Sequence, residues 1–169
     1  MVDPITNMPI VILREHEGDR VLPIWVGVFE ANAIAIQIEN VETPRPMTHD
    51  LIRNMLADLD ARVEKIVISS LKENTFYASI HLHVGGEEVA VDSRPSDAIA
   101  VGLRMKAPIM ISEKLFEKAG LSESDLETSK NSDKVLSVKE LEDRLQVAVD
   151  NEKYEVAAKI RDQINELKE

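Results

Sequence analysis

The stretch EEVAVDSRPSDAIAVGLRMK, residues Glu87 to Lys106, changes its period halfway along. Its first part, through Val89, Val91 and Asp92, alternates apolar and polar residues as a strand does when one face is buried. Its second part has the marks of a helix. Ser93 is placed to cap the free amides of the first turn, Pro95 suits an opening position where no N–H is needed, and Asp97 sits at the positive end of the dipole. The strand therefore hands straight over to a helix, and the handover crowds Asp92, Ser93, Arg94, Ser96 and Asp97 around exposed backbone N–H groups. Such a junction suits an anion such as phosphate, with Ser93, Arg94 and Ser96 as its binding groups. A purely structural reading stands beside this one: Ser, Asp and Pro commonly end one element and start another, and an Arg94–Asp97 pair can serve as local bracing.

Working outward, Pro9 to Leu13 and Val21 to Val26 flank the charged turn Glu15-His16-Glu17-Gly18-Asp19 and read as a β-hairpin. Phe29 to Val41 is so densely apolar, with Ala31, Ala33, Ile34, Ala35, Ile36 and Ile38, that the spacing predicts a helix nearly enclosed by other elements. Glu30 near its start reads first as a helix-terminal carboxylate. Pro44 and Pro46 break the chain, and Thr48 is placed to cap a second helix with Leu51, Ile52, Met55, Leu56 and Leu59 on one side. His49, Asp50, Arg53 and Asp58 fall on the other side or in the entry turn. His49 and Asp50 are neighbours, but neighbours in a helical turn diverge and do not form a dyad by themselves.

Val63 to Leu71, Thr75 to Val84 and Glu87 to Asp92 form an antiparallel meander closed by Lys72-Glu73-Asn74 and Gly85-Gly86. His81 and His83 share a strand face, a workable metal spacing for which no third ligand is evident nearby. After the central helix come a short strand, Pro108 to Ile111, and a helix, Ser112 to Ala119, stopped by Gly120. The expected fold is α+β: a mixed, largely antiparallel sheet with packed helices, followed by a C-terminal two-helix hairpin.

Residues Ser122 to Lys134 are almost all polar, which marks a linker. Domain limits follow as 1–120 for the main domain, 121–136 for the linker and 137–169 for the hairpin. Its first arm opens on the capping box Ser137-Val138-Lys139-Glu140 and carries Val138, Leu141, Leu145 and Ala148; its second carries Tyr154, Ala157, Ile160, Ile164 and Leu167. A hairpin this short is expected to leave its stripe open for a protein partner, a second copy or the main domain.

Composition limits the function. Twenty Lys and Arg against 31 Asp and Glu give a net charge of −11 over 169 residues, spread along the chain, so the protein lacks the basic face that grips duplex DNA. Contact with nucleic acid is expected to be weak or bridged by metal. With no cysteine, thiolate chemistry and disulfides are excluded. No membrane segment is legible, and the setting is expected to be cytoplasmic. Aromatic residues make up only 4%, which fits a compact aliphatic fold rather than a stacking platform for single-stranded bases.

Residues 9–120 resemble the bacterial and plant bifunctional nuclease (BFN) family. The resemblance rests on LPIWVGVFEANAIA (Leu22 to Ala35), PRPMTHDLI (Pro44 to Ile52), SLKENTFYA (Ser70 to Ala78), DSRPSDAIA (Asp92 to Ala100) and the following KAPI. YEVAAKIRDQI (Tyr154 to Ile164), preceded by LEDRLQVAVDNEK, is similar to the UVR motif, a helical hairpin for protein contact. The resemblance implies a nuclease acting on DNA and RNA, with polar landmarks at Glu30, His49, Asp50, Arg94, Ser96 and Asp97. On that basis Glu30, Asp50, Asp92 and Asp97 are expected to bind divalent Mg or Mn, Arg94 to hold the scissile phosphate, and His49 to move a proton. Relatives carry a strand ahead of the segment beginning at Val2-Asp3, so an edge of the hairpin is expected to be exposed or paired in a homo-oligomer. The competing reading is a non-enzymatic adaptor or anion-binding module that recruits a repair or proteolysis partner through the hairpin.

Overall fold

The computed structural model describes residues 1–3 and 7–125, together with residues 145, 148, 156–158, 160, 161, 164 and 165. Two compact units are present, one of residues 1–2 and 8–123 and the other of residues 3–7 and 124–169. The first is α+β, as the sequence predicts.

In the first unit β1 (Ile10–Arg14) and β2 (Arg20–Trp25) pair antiparallel, Ile10 opposite Trp25, and β7 (Leu121–Ser122) joins the far side of β2. The polar run taken as a linker from residue 121 thus begins with two ladder residues, and residues 123–125 are helical. The sequence carried no signal for so short a strand, which exists because β2 presents a free edge. The rest of the expected linker lies outside the described residues.

The second sheet runs in the order β5, β4, β3, β6. Strands β3 (Arg62–Lys72), β4 (Thr75–Val84) and β5 (Glu87–Ser93) form the predicted antiparallel meander, and β6 (Ile109–Ile111) lies parallel to β3. Both hairpin turns have two successive residues at positive φ, Glu73-Asn74 and Gly85-Gly86, the conformation that matches the twist of a two-residue hairpin. The expectation that β5 buries one face fails. It is an edge strand exposed over nearly its whole length, Val89 and Val91 included.

Helix α3 (Pro95–Met105) occupies the middle of the core. Ala98, Ile99 and Ala100 pack with Leu22, Ile24 and Val26 of β2, with Ile66 and Ile68 of β3, and with Leu115 and Phe116 of α4 (Glu113–Ala119). Gly102 explains how close α3 comes to the sheet: a Cβ there would lie 2.7 Å from Cγ1 of Ile66, which is fully buried and has nowhere to go. Helix α1 (Val28–Ile38) departs from expectation. It buries only Ile34 and leaves Val28, Phe29 and Ile38 largely exposed, because it packs by one face on α3 and has no second neighbour across its outer side among the described residues.

Helix α2 (Thr48–Asp58) also departs. Its apolar stripe divides, with Ile52 and Leu56 half-buried and Met47, Leu51, Met55 and Leu59 exposed, while the polar pair His49 and Asp50 turns inward. Met47, rather than Thr48, is the cap residue, and its N–H donates to Asp50 Oδ2 at 2.9 Å. The reason for the inversion is Arg104 on α3, whose side chain is only 1% exposed. Its Nε donates to Asp50 Oδ1 at 2.7 Å and its Nη1 to the carbonyls of Ala33 and Ala100, both at 3.0 Å. A buried guanidinium needs a carboxylate, and Asp50 is turned in to supply it.

In the second unit Ala148, Ala157, Ile160 and Ile164 form a buried cluster with Leu145 and Val156 packed against it. At these positions the stripe is covered. The capping box and the remaining stripe positions lie outside the described residues. No helix among the described residues is long and apolar enough to cross a membrane.

Two substitutions test this packing. Gly102→Ala on an open helix face would add roughly 1 kcal/mol of helix propensity, yet here overpacking against Ile66 costs about 1 to 3 kcal/mol, so the urea midpoint falls. A raised midpoint would show that β3 yields. Asp50→Asn leaves Arg104 buried without a counter-ion and lowers stability by about 3 kcal/mol at neutral pH, measured by denaturant unfolding. Burial opposes ionisation of Asp50, but the bonds from Arg104 and from the Met47 N–H prevail and hold its carboxyl below the usual value of 3.8. A depressed carboxyl contributes its stability above the unfolded value and loses it as pH falls through the folded one. The gap between wild type and Asp50→Asn therefore narrows as pH drops below 3.8.

Candidate active site

The junction between β5 and α3 meets the first turns of α1 and α2. Each helix arrives with one charged or titratable side chain aimed at the same place, which is how residues scattered through the sequence come together. Arg94 is the N-cap of α3, and Pro95 follows at the first helical position. Ser93 does not cap the turn as expected. Its hydroxyl donates to the carbonyl of Arg94 at 3.0 Å, and the amides of Ser96 and Asp97 have no side-chain cap. Ser96 is buried beneath them.

Arg94 is the hub. Its Nε donates to Asp97 Oδ2 at 2.7 Å, its Nη2 to Asp97 Oδ1 at 3.1 Å and its Nη1 to Glu30 Oε1 at 3.0 Å. Despite these bonds its side chain is 66% exposed, so the outer face of the guanidinium is open to a ligand. Glu30 can fold back because residue 27 is glycine: a Cβ there would sit 2.2 Å from Glu30 Oε2.

On the inner side His49 Nε2 lies 3.3 Å from Asp97 Oδ1. A carboxylate only accepts, so Nε2 is the donor in this contact, and in the neutral ring Nδ1 is left as the acceptor. His49 is thus paired with Asp97, far along the chain, and not with its neighbour Asp50. Burial disfavours the Asp97 anion, but the bonds from Arg94 and His49 outweigh burial and hold its carboxyl below the ordinary range.

The contacts form one chain, Glu30 to Arg94 to Asp97 to His49. Asp50 is not in it, being committed to Arg104, and neither is Asp92, which is exposed on β5 opposite Ser79. The four carboxylates expected as metal ligands therefore do not gather. Among the described residues no group of three His or acidic side chains could hold a metal ion, and the position between Glu30 and Asp97 is filled by a guanidinium. The donor set does not fit a resident divalent ion. His81 accordingly pairs within its own strand, its Nε2 lying 3.1 Å from the Ser79 hydroxyl.

A cleft of about 250 Å³ opens beside Arg94, lined by Trp25 and Gly27 before α1, by Glu30, by Asn74, Thr75 and Phe76 of the β3–β4 hairpin, and by Pro95 and Ser96. Sequence reasoning missed the hairpin's part in it. It also missed Arg104, whose signal was there to read: a lone cation in an otherwise apolar run, seven residues after Asp97 and so on the same face of α3.

Comparison with known proteins follows the same limits. Residues 11–124 match the bifunctional nuclease domain model, and residues 136–169 match the UvrB/uvrC motif. An uncharacterised protein of Mycobacterium tuberculosis is 43% identical over 84% of this chain and 88% of its own length. Bifunctional nuclease 1 of rice (Oryza sativa subsp. japonica) is 27% identical over 70% of this chain and 37% of its own. The protein of the same name in Arabidopsis thaliana is 26% identical over 95% of this chain and 56% of its own. With a domain match that takes in the whole of the β5–α3 junction and the three helices around it, this chain belongs to the bifunctional nuclease domain family.

Proposed function

We propose that the chain is a nuclease that hydrolyses phosphodiester bonds of DNA and RNA at the β5–α3 junction. The observation that carries this reading is the continuous contact chain Glu30, Arg94, Asp97, His49, which puts a phosphate-binding cation next to an oriented imidazole. Family membership supports the reaction class.

In this reading the scissile phosphate takes the open face of Arg94 and displaces Glu30 from Nη1, with the uncapped amides of Ser96 and Asp97 behind it. Asp97 fixes the His49 tautomer, and Nδ1 accepts a proton from water as the hydroxyl attacks phosphorus and the bond to the leaving oxygen breaks, that oxygen taking its proton from solvent. His49 is only 13% exposed, so a water molecule reaches it more readily than a nucleotide does. No step passes through a resident metal; Mg or Mn enters only with the polyanion it screens.

The remaining parts of the reading have their own support. The UvrB/uvrC match supports a protein partner for residues 137–169. The exposed stripe Met47, Leu51, Met55 and Leu59 supports a homo-oligomer, and the lack of cysteine supports a cytoplasmic setting. One observation favours the adaptor instead: every Arg94 donor group is already bonded to a carboxylate, as in simple bracing.

Cleavage of labelled single-stranded DNA and RNA by the purified full chain separates these readings. His49→Ala lowers kcat about 100-fold or more, the size of a lost general base, while Arg94→Ala chiefly raises KM. Asp97→Asn loses rate without loss of fold. Activity survives EDTA at matched ionic strength. Equal rates in wild type, His49→Ala and Asp97→Asn remove the catalytic assignment, and no cleavage by any of the three leaves the adaptor. A strict metal requirement replaces it with a site in which Glu30, Asp50, Asp92 and Asp97 regroup around an ion.

A further inference from the structure

Strand β5 (Glu87–Ser93) ends the second sheet and is bonded to β4 along one side only. All seven of its residues pair with β4 in unbroken register, from Glu87 opposite Val84 to Ser93 opposite Ala78. Its other side therefore turns a row of backbone N–H and C=O groups outward, with no partner among the described residues. Folded proteins blunt such an edge with proline, lysine, a bulge or a very short strand. β5 has none of these, whereas β6, at the opposite edge, is only three residues long.

The side chains of β5 specify what pairs there. Val89 and Val91 stand opposite Leu82 and Ile80, on the face where Ile80 packs against the core, and are still 41% and 42% exposed. The other face of the strand carries Glu88, Ala90 and Asp92. Among the described residues neither Glu88 nor Asp92 forms an ion pair. We propose that β5 is a docking edge for an extended segment of a partner protein in which apolar residues alternate with Lys or Arg. Such a segment adds a strand to the sheet: its apolar side chains continue the row of Val89 and Val91, and its cations lie beside Glu88 and Asp92. A second copy fits worse. Two β5 strands paired antiparallel over their whole length, Ala90 opposite Ala90, set Glu88 opposite Asp92 on both sides of the centre, and like charges directly opposite destabilise a sheet. The net charge of −11 adds to the repulsion between copies and draws a basic segment in. This partner is distinct from the one read for residues 137–169, and the edge serves an adaptor as well as a nuclease.

The test titrates the full chain, by fluorescence anisotropy, with short labelled peptides: one alternating Val and Lys, one alternating Val and Glu, and one with the same Val and Lys content in two blocks. Two further versions of the Val–Lys peptide carry N-methyl groups on the backbone amides of every Val or of every Lys, which blocks one edge of the extended peptide and leaves the other free. The alternating Val–Lys peptide binds about tenfold tighter than the block peptide or the Val–Glu peptide, and one of the two methylated versions loses about tenfold in affinity, as for one or two lost hydrogen bonds, while the other does not. On binding, amide hydrogen exchange slows in Glu87 to Ser93. The double variant Glu88→Lys with Asp92→Lys, both on exposed side chains, reverses the preference and takes the Val–Glu peptide instead. Equal affinity for the block peptide, indifference to both methylations, unchanged exchange across β5 or no binding of any peptide overturns the docking edge. A concentration-dependent dimer that protects the β5 amides without peptide assigns the edge to a second copy and overturns it too.

Discussion

The buried bond between Arg104 and Asp50 is the constraint on which the arrangement of the helices depends. Arg104 holds the carbonyl of Ala33 on α1 and the carboxylate of Asp50 on α2, and stands on α3 itself. One turn of side-chain chemistry thus fixes three helices. Next to it in sequence, His49 reaches Asp97, seven residues earlier on α3, or about 10 Å along the axis at 1.5 Å per residue. Adjacent residues of α2 diverge by about 100° and so grip α3 at two levels. Two grips set the tilt of α2 as well as its position, which one could not. The imidazole is presented to the junction because the carboxylate beside it is anchored.

Electrostatics shape the site in the opposite sense from a basic groove. Arg94 is the cation available to a phosphate there, and two carboxylates already share it. An incoming anion competes with Glu30 and gains little from long-range attraction across an acidic surface. Binding must then draw on short-range terms: amides at the start of α3, exchange of one oxygen for another at Nη1, and apolar contact with the cleft wall. Weak and local contact is what such a surface gives.

Much of this was legible in the sequence where a local rule governs. Glu73-Asn74 and Gly85-Gly86 gave the hairpins, the shift of period at Ser93 gave α3, and the residues of the contact chain were all among the candidates. What escaped was decided by distant partners. Asp50 reads as a metal ligand in the sequence, but α3 supplies a buried cation that takes it. The apolar density of α1 signalled enclosure, but its neighbours cover one side only, so Phe29 stands in water. Composition counts rings without saying where they stand, and two of the few, Trp25 and Phe76, line the cleft.

The division of labour between His49 and Asp50 also governs how loss of function is to be read at this site. A change at Asp50 acts through Arg104 and loosens α2, which carries His49 away from Asp97 without touching any reacting group. A change at Asp97 removes the tautomer control directly while α2 stays anchored by Arg104. The first is a loss of position and is relieved by whatever restores packing, such as an apolar replacement of both Asp50 and Arg104, because a buried ion pair is exchangeable for well-packed apolar groups where a lone buried charge is not. In the proposed mechanism the second is a loss of chemistry, and no repacking restores it. The neighbour pair in the sequence is therefore two separate devices: one holds the helix, and the other stands where the helix is held.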